Sequence, residues 1–509
     1  MKMFPDRLLV AALITFAAVP LFAADPPAPP PPPVMCPLGV GWSEGLANYL
    51  QPNAQFPTSD TANPPTPDCA FHQWSWEAFS WAIALDPVTQ VPRFLTLPTP
   101  DGLLDASSAA AKPGPRRLRL AFRSLRVHDA PGFTEGAGAM VEADGNILIA
   151  PNGYPVYASV HMNPTYFATA QKNMITANPA TGGYATQPPD SYFNVGDAVF
   201  KATWLRLESP ITAPPTDAPA GAYTTLAEVP VLRVLRTNNN YTVVPSGQTQ
   251  TVWVALVGLH VVGYTANHPE FLWATFEHNL NSPSTPDGQF AFSPATSTSA
   301  SSTFYTGGTP YSQVNMPNPP QGGQTYTPPQ LNFNPMTQKF SPAHNVVLEN
   351  ATGGENQVNG PANVAAINGS AQHFYAQLQS TNPNQAIFGN YHLIGTVWFL
   401  PNTYVLPGAV TANNGAGLNQ VNGVGSFNLA NTTAETFEQW PLGYTPVPAG
   451  TTNQSCFLCH NALSNTPPTG PSLPPRRIAI SHVIEEGSPF AVPNLLSVPI
   501  TQQTQTFKR

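Results

Sequence analysis

The chain has 509 residues, of which only 9 % are charged: 19 basic against 27 acidic, for a net charge of −8. Soluble proteins carry roughly 25 % charged residues, so this chain has neither the charge excess of a disordered protein nor the basic footprint of a nucleic-acid binder. Its 61 prolines exclude a bundle of long helices, while 42 % hydrophobic and 10 % aromatic residues supply a large core. The expectation is a mainly β protein with a few short helices and a large β-rich body.

Residues 1–24 read as a secretory signal, with Lys2 and Arg7 around a basic start, an apolar run from Leu8 to Ala18, and small residues at Ala23 and Ala24. Pro20 interrupts a run already short of the roughly 20 residues a span requires. Thr251 to Gly263, the strongest later candidate, is also too short and contains His260. The expectation is a periplasmic or secreted protein with no membrane span once the signal is removed. Residues 25–68 form a Pro-rich arm that opens with DPPAPPPPP, a polyproline II spacer. In an oxidising compartment Cys36 and Cys69 could close a disulfide, the alternative being two buried thiols.

A β-rich body is expected over residues 69–430. It begins with CAFHQWSWEAFSWAIAL, Cys69 to Leu85, whose Phe71, Trp74, Phe79, Ala82 and Ile83 approximate helical spacing. His72 within it reads as a hydrogen-bonded core histidine. Strands are predicted at Asn146–Ala150, Pro155–His161, Ala198–Leu207, Thr251–Tyr264, Phe271–Glu277 and Tyr391–Phe399, bounded by Gly, Pro or Asn. Asp144-Gly145 and Asn152-Gly153 are turn signals. Residues 281–343, rich in Ser, Thr, Pro, Gly and Asn, read as a low-complexity insertion in the body, either a surface excursion or partly disordered.

The chemistry is concentrated in residues 431–509, a c-type haem-binding segment. Cys456-Phe457-Leu458-Cys459-His460 has the C-x-x-C-H pattern, in which two thiols reach the two vinyl groups of one haem and the next residue offers an imidazole to the iron. A redox C-x-x-C lacks its βαβ setting here, a zinc finger lacks its second pair, and a disulfide across so short a ring is strained. One covalent haem c is therefore expected on Cys456 and Cys459, with His460 as the proximal iron ligand. All eight methionines lie upstream of the motif. For the sixth position that leaves His482, a His or Met of the body, or an open iron.

A second cluster, His260, His268, Glu277 and His278, lies within 19 residues. It could ligate iron, shuttle protons or bind a second metal, with His260 and His278 the best candidates and the acid–base groups of a haem enzyme, or it could be a hairpin carrying two of these histidines inward into satisfied hydrogen bonds. Glu277 and His278 are adjacent, so a strand would send them to opposite faces.

Several tracts resemble exported bacterial monohaem cytochrome c family proteins of several hundred residues. They are WSWEAFSWAIAL (Trp74–Leu85), GDAVFKATWLRL (Gly196–Leu207), VALVGLHVVGYT (Val254–Thr265), FLWATFEHNLNSP (Phe271–Pro283), YHLIGTVWFLP (Tyr391–Pro401), LANTTAETFEQ (Leu429–Gln439) and SCFLCHNA (Ser455–Ala462). The resemblance implies haem c on Cys456 and Cys459 with His460 as ligand, and it draws attention to His260 and His278, which fall inside its tracts. The chain departs from the family's pattern at Leu280-Asn281, where an Asp-Asn pair is usual, and at Gly263-Tyr264, where basic residues are frequent.

The leading expectation is one-electron transfer between periplasmic partners, either a redox partner protein or a small redox molecule, with electron transfer favoured over enzymatic turnover. The alternatives are a haem-dependent oxidoreductase of peroxidase or oxygenase type with an open distal site, and a haem-based ligand-binding or sensing protein.

Overall fold

The computed structural model describes residues 36, 41–59, 67–99, 118–120, 147–175, 193–237, 240–284, 300–310, 313–316, 331–348, 360–399, 423–425 and 429–438. The signal-like residues 1–24, Cys456, Cys459, His460 and His482 lie outside them. The fold is mainly β with few helices. In chain order come α1 (Trp42–Tyr49), α2 (Pro67–Ile83), α3 (Arg93–Thr96), β1 (Leu118–Arg119), β2 (Val156–Met162), α4 (Pro164–Ile175) and β3 (Ala198–Arg206). These are followed by β4 (Thr224–Thr237), β5 (Asn240–Thr265), β6 (His268–His278), β7 (Asn332–Asn334), β8 (Lys339–Ser341), α5 (Gly360–Gln377), α6 (Pro383–Ala386), β9 (Tyr391–Phe399) and β10 (Gly423–Gly425).

β5 is the spine of the sheet. Along one edge it pairs with β3, from Arg206↔Val254 to Ala198↔Gly263. The other edge is shared, with β4 pairing to its first half and β6 to its second, all antiparallel. β2 extends the sheet beyond β3, β9 and β10 extend it beyond β6, and β1 adds to β4 in parallel. The ladder breaks where the sequence dictates. Register shifts between Pro230 and Leu232, where β4 carries a proline without an N–H and β5 turns through Gly247 at φ 89°. A second bulge sits at Val257: Thr203 opposes Gly258 while Trp204 opposes Leu256.

One face of the sheet is roofed by α2 and α5. From Phe71 to Ala84 every α2-region residue except Gln73 and Glu77 is buried, as befits a helix that is hydrophobic nearly all round. The Phe79 ring stacks on Phe276 at 4.2 Å, Trp76 meets Phe276 edge-on at 5.0 Å, and Trp81 stacks on Phe200 at 5.7 Å. Polar atoms inside bond across the roof: Trp76 Nε1 donates to Asn368 Oδ1 at 2.9 Å, Ser80 and Tyr375 share a 2.7 Å hydroxyl bond, and His72 Nδ1 lies 3.0 Å from Thr396 Oγ1. β5 presents Gly263 to this roof because a Cβ there would lie 2.6 Å from Trp74 and 2.7 Å from Phe56. At the N-terminal end Cys36 and Cys69 are joined by a disulfide, their Cα atoms 5.4 Å apart.

Two expectations change. Residues 147–150 are buried but form no strand, making only the isolated bridge Ile149↔Pro155, because Gly153 at φ 85° turns the chain back at once. Within residues 281–343, the described stretches are packed. Phe304, Tyr305 and Val314 are fully or almost fully buried, and β7 and β8 form a hairpin whose Phe340 N–H donates to Gly153 O at 2.7 Å. There Asn side chains satisfy backbone groups that no ladder reaches, as Asn315 does for both backbone groups of Val347 at 3.0 Å.

Candidate functional site

The face of the sheet opposite the helices carries a polar patch at its centre. Two rungs run across β3, β5 and β6, Lys201↔His260↔Thr275 and Thr203↔Gly258↔Glu277, with all six side-chain positions on one face. Residues 429–437 cross these rungs as an irregular turn with Asn431 at its centre. The Asn431 Oδ1 accepts from the Thr433 N–H at 2.9 Å and its hydroxyl at 2.7 Å, closing an Asx turn. Its Nδ2 donates to Thr275 Oγ1 at 2.8 Å and to Phe276 O at 3.1 Å.

Glu277 is the buried charge of the patch, 2 % exposed. Thr432 donates its N–H to Oε1 at 2.6 Å and its hydroxyl to Oε2, and Asn281 Nδ2 donates to Oε2 at 3.3 Å. Burial pushes the carboxyl up to about 7, against the pull of these donors and with a smaller push from Glu435. All three partners are donors, so the hydrogen-bond geometry is built for the carboxylate. Thr203 and Thr433 share a 2.6 Å hydroxyl bond directly above Gly258. A Cβ at Gly258 would run into Thr203 Oγ1 and lie 2.6 Å from Thr433 Oγ1 and 3.0 Å from Asn431 Nδ2, so only glycine leaves room for the turn.

At its rim the patch opens to solvent. His260 Nε2 lies 2.8 Å from Glu435 Oε1, with both side chains 17 % exposed. The other Glu435 oxygen accepts the Asn431 N–H at 2.8 Å. The carboxylate can only accept, so Nε2 donates this bond and the ring is held in one orientation.

No family model matches the chain, nor does any curated protein or solved structure.

The structure separates the histidines that proximity in sequence had grouped. His260 shares its face with Glu277, whereas His278 points to the helix-covered side, edge-on to Tyr391 at 5.2 Å, where burial holds its imidazole at about 4. His268 sits at the β5–β6 turn, its Nδ1 2.7 Å from Glu270 Oε1, with both side chains buried. His260 and His278 therefore cannot act together on one substrate. Among the described residues no three His, Cys, Asp or Glu side chains are grouped to hold a metal ion, and no helix is long and apolar enough to cross a membrane. Sequence reading assigned no role to Asn431, Thr432, Thr433 or Glu435. Their signal is the run Asn-Thr-Thr-Ala-Glu, a turn former followed by a carboxylate able to reach back to the turn's N–H.

Proposed function

We propose that the chain is an exported monohaem c-type cytochrome that passes single electrons between partners in the periplasm or outside the cell. The observation that carries this reading is the Cys456-x-x-Cys459-His460 tract, reinforced by the resemblance of seven tracts to bacterial monohaem cytochrome c family proteins. The donor set fits the group: two thiols at the spacing of the haem vinyls and one imidazole for the iron. Bound there, a haem c supplies reversible one-electron chemistry. Cys456 and Cys459 hold it covalently and His460 ligates it, while the β-rich body supplies burial and docking surface. The Cys36–Cys69 bond supports the same reading, since stable disulfides belong to oxidising compartments.

A haem-dependent oxidoreductase is the second reading. It is favoured by the His260–Glu435 pair, a partly exposed imidazole oriented by a carboxylate in the arrangement of a general base. The chain purified from a host that attaches haem c separates the two. Sharp low-spin bands unaffected by carbon monoxide support the electron carrier, and a high-spin ferric spectrum with prompt carbon monoxide uptake supports the oxidoreductase. Cys456→Ala with Cys459→Ala is expected to abolish covalent haem. A covalent haemochrome that survives acid–acetone extraction in that double variant would overturn both readings.

A further inference from the structure

Residues 429–437 have almost no regular structure of their own, yet four of their side chains bond groups of the sheet. Their polar bonds to it are made by Asn431 to Thr275 and Phe276, by Thr432 to Glu277, by Thr433 to Thr203 and by Glu435 to His260. An apolar segment could cover this patch without leaving a carboxylate to desolvate. What the polar solution adds is register, because shifting the segment by one residue would misplace every donor at once. The sheet is also cut to fit, with glycine at the one β5 position where a methyl would meet both threonine hydroxyls and Asn431.

We propose that residues 429–437 are a positioning strap. Gly258, Glu277 and Asn431 fix residues 429–437 on the sheet, and through the chain that continues to Cys456 they bias the placement of the haem it would carry. Without the strap Glu277 would keep only its bond to Asn281, and Gly258 would lie bare. These three are positioning residues: they hold the segment that continues towards Cys456 and touch no reacting atom. The inference rests on the haem c reading.

The test uses the full chain from a haem-attaching host, comparing the unaltered protein with Gly258→Ala, Glu277→Gln and, as a control on the helical face, Ser80→Ala. Covalent haem per chain, carbon monoxide uptake by the reduced protein, reduction potential and amide exchange of residues 430–436 are read for each. The strap variants are expected to keep one haem per chain while strap amides exchange about tenfold faster. Their carbon monoxide uptake rises by about fivefold or more, with a displaced potential, and Ser80→Ala leaves all of these unmoved. If Gly258→Ala does not accumulate, Thr433→Val removes the Thr203 bond at nearly constant shape and reads the same quantities. Faster strap exchange with unchanged haem properties overturns the inference alone, as does an equal shift in Ser80→Ala. An unaltered chain without covalent haem overturns the haem c reading first and this inference with it.

Discussion

The two faces of the sheet around β5 are covered in opposite ways. On one, α2 presses aromatic rings against Phe200, Phe276 and Tyr391, and the fewer polar contacts include Asn368 of α5 with both backbone groups of Leu393. On the other, the patch around Gly258 is covered by a turn whose contacts with the two rungs are mainly hydrogen bonds. Aromatic packing contributes much free energy with little directional demand, whereas a polar lock contributes less and specifies more. The helical roof therefore carries stability, and the strap face carries registration.

The sharpest way to break this contrast is to remove a ring. Trp76 is fully buried and bonds Asn368, so Trp76→Ala is expected to cost about 3–5 kcal/mol in urea unfolding. A loss below about 1 kcal/mol would mean that the roof is not the stabilising face.

The next effect is a dependence on pH. Glu277 titrates at about 7 in the folded protein, from an ordinary value of 4.5. Between these values the folded state holds a proton that the unfolded chain has lost, so this group's contribution to stability falls as pH rises from 4.5 to 7 and is level beyond. The linked loss is about 3 kcal/mol. Unfolding midpoints of Glu277→Gln across pH 5 to 8 are expected to lack this slope. An identical slope in the variant would assign it to other groups.

The smallest effect sharpens the comparison from the roof side. Ser80→Ala removes one buried hydroxyl bond to Tyr375 and is expected to cost about 1 kcal/mol without altering amide exchange in the strap.

Legibility in the sequence follows the same division. α2 was readable because its aromatic residues recur at helical spacing, and β9 because the apolar and aromatic run Tyr391–Phe399 lies between Gly389-Asn390 and Pro401-Asn402. The first half of β5 was missed because Pro245, Gly247 and a Thr-Gln run obscure its pattern, and β4 because Pro230 interrupts it. α5 was missed because small residues and Gly369 leave it little amphipathic contrast. In the candidate site, the opposite facing of Glu277 and His278 followed from strand geometry alone. The partnership of His260 with Glu435 did not, because it joins residues 175 positions apart and neither carries a periodic signal.

The roof also has a consequence for the order of events at the ribosome. Trp76 finds its hydrogen-bond partner 292 residues downstream, and Ser80 finds its own 295 residues downstream. α2 is thus among the first described elements to be synthesised and among the last to find its place. At ordinary elongation rates it waits on the order of tens of seconds for α5 and β9 to emerge. Until then its rings have Phe56, Phe200 and Phe276 to pack against, while Trp76 Nε1 and the Ser80 hydroxyl wait for Asn368 and Tyr375. A roof completed by contacts this far apart in sequence closes more slowly than one built from neighbours.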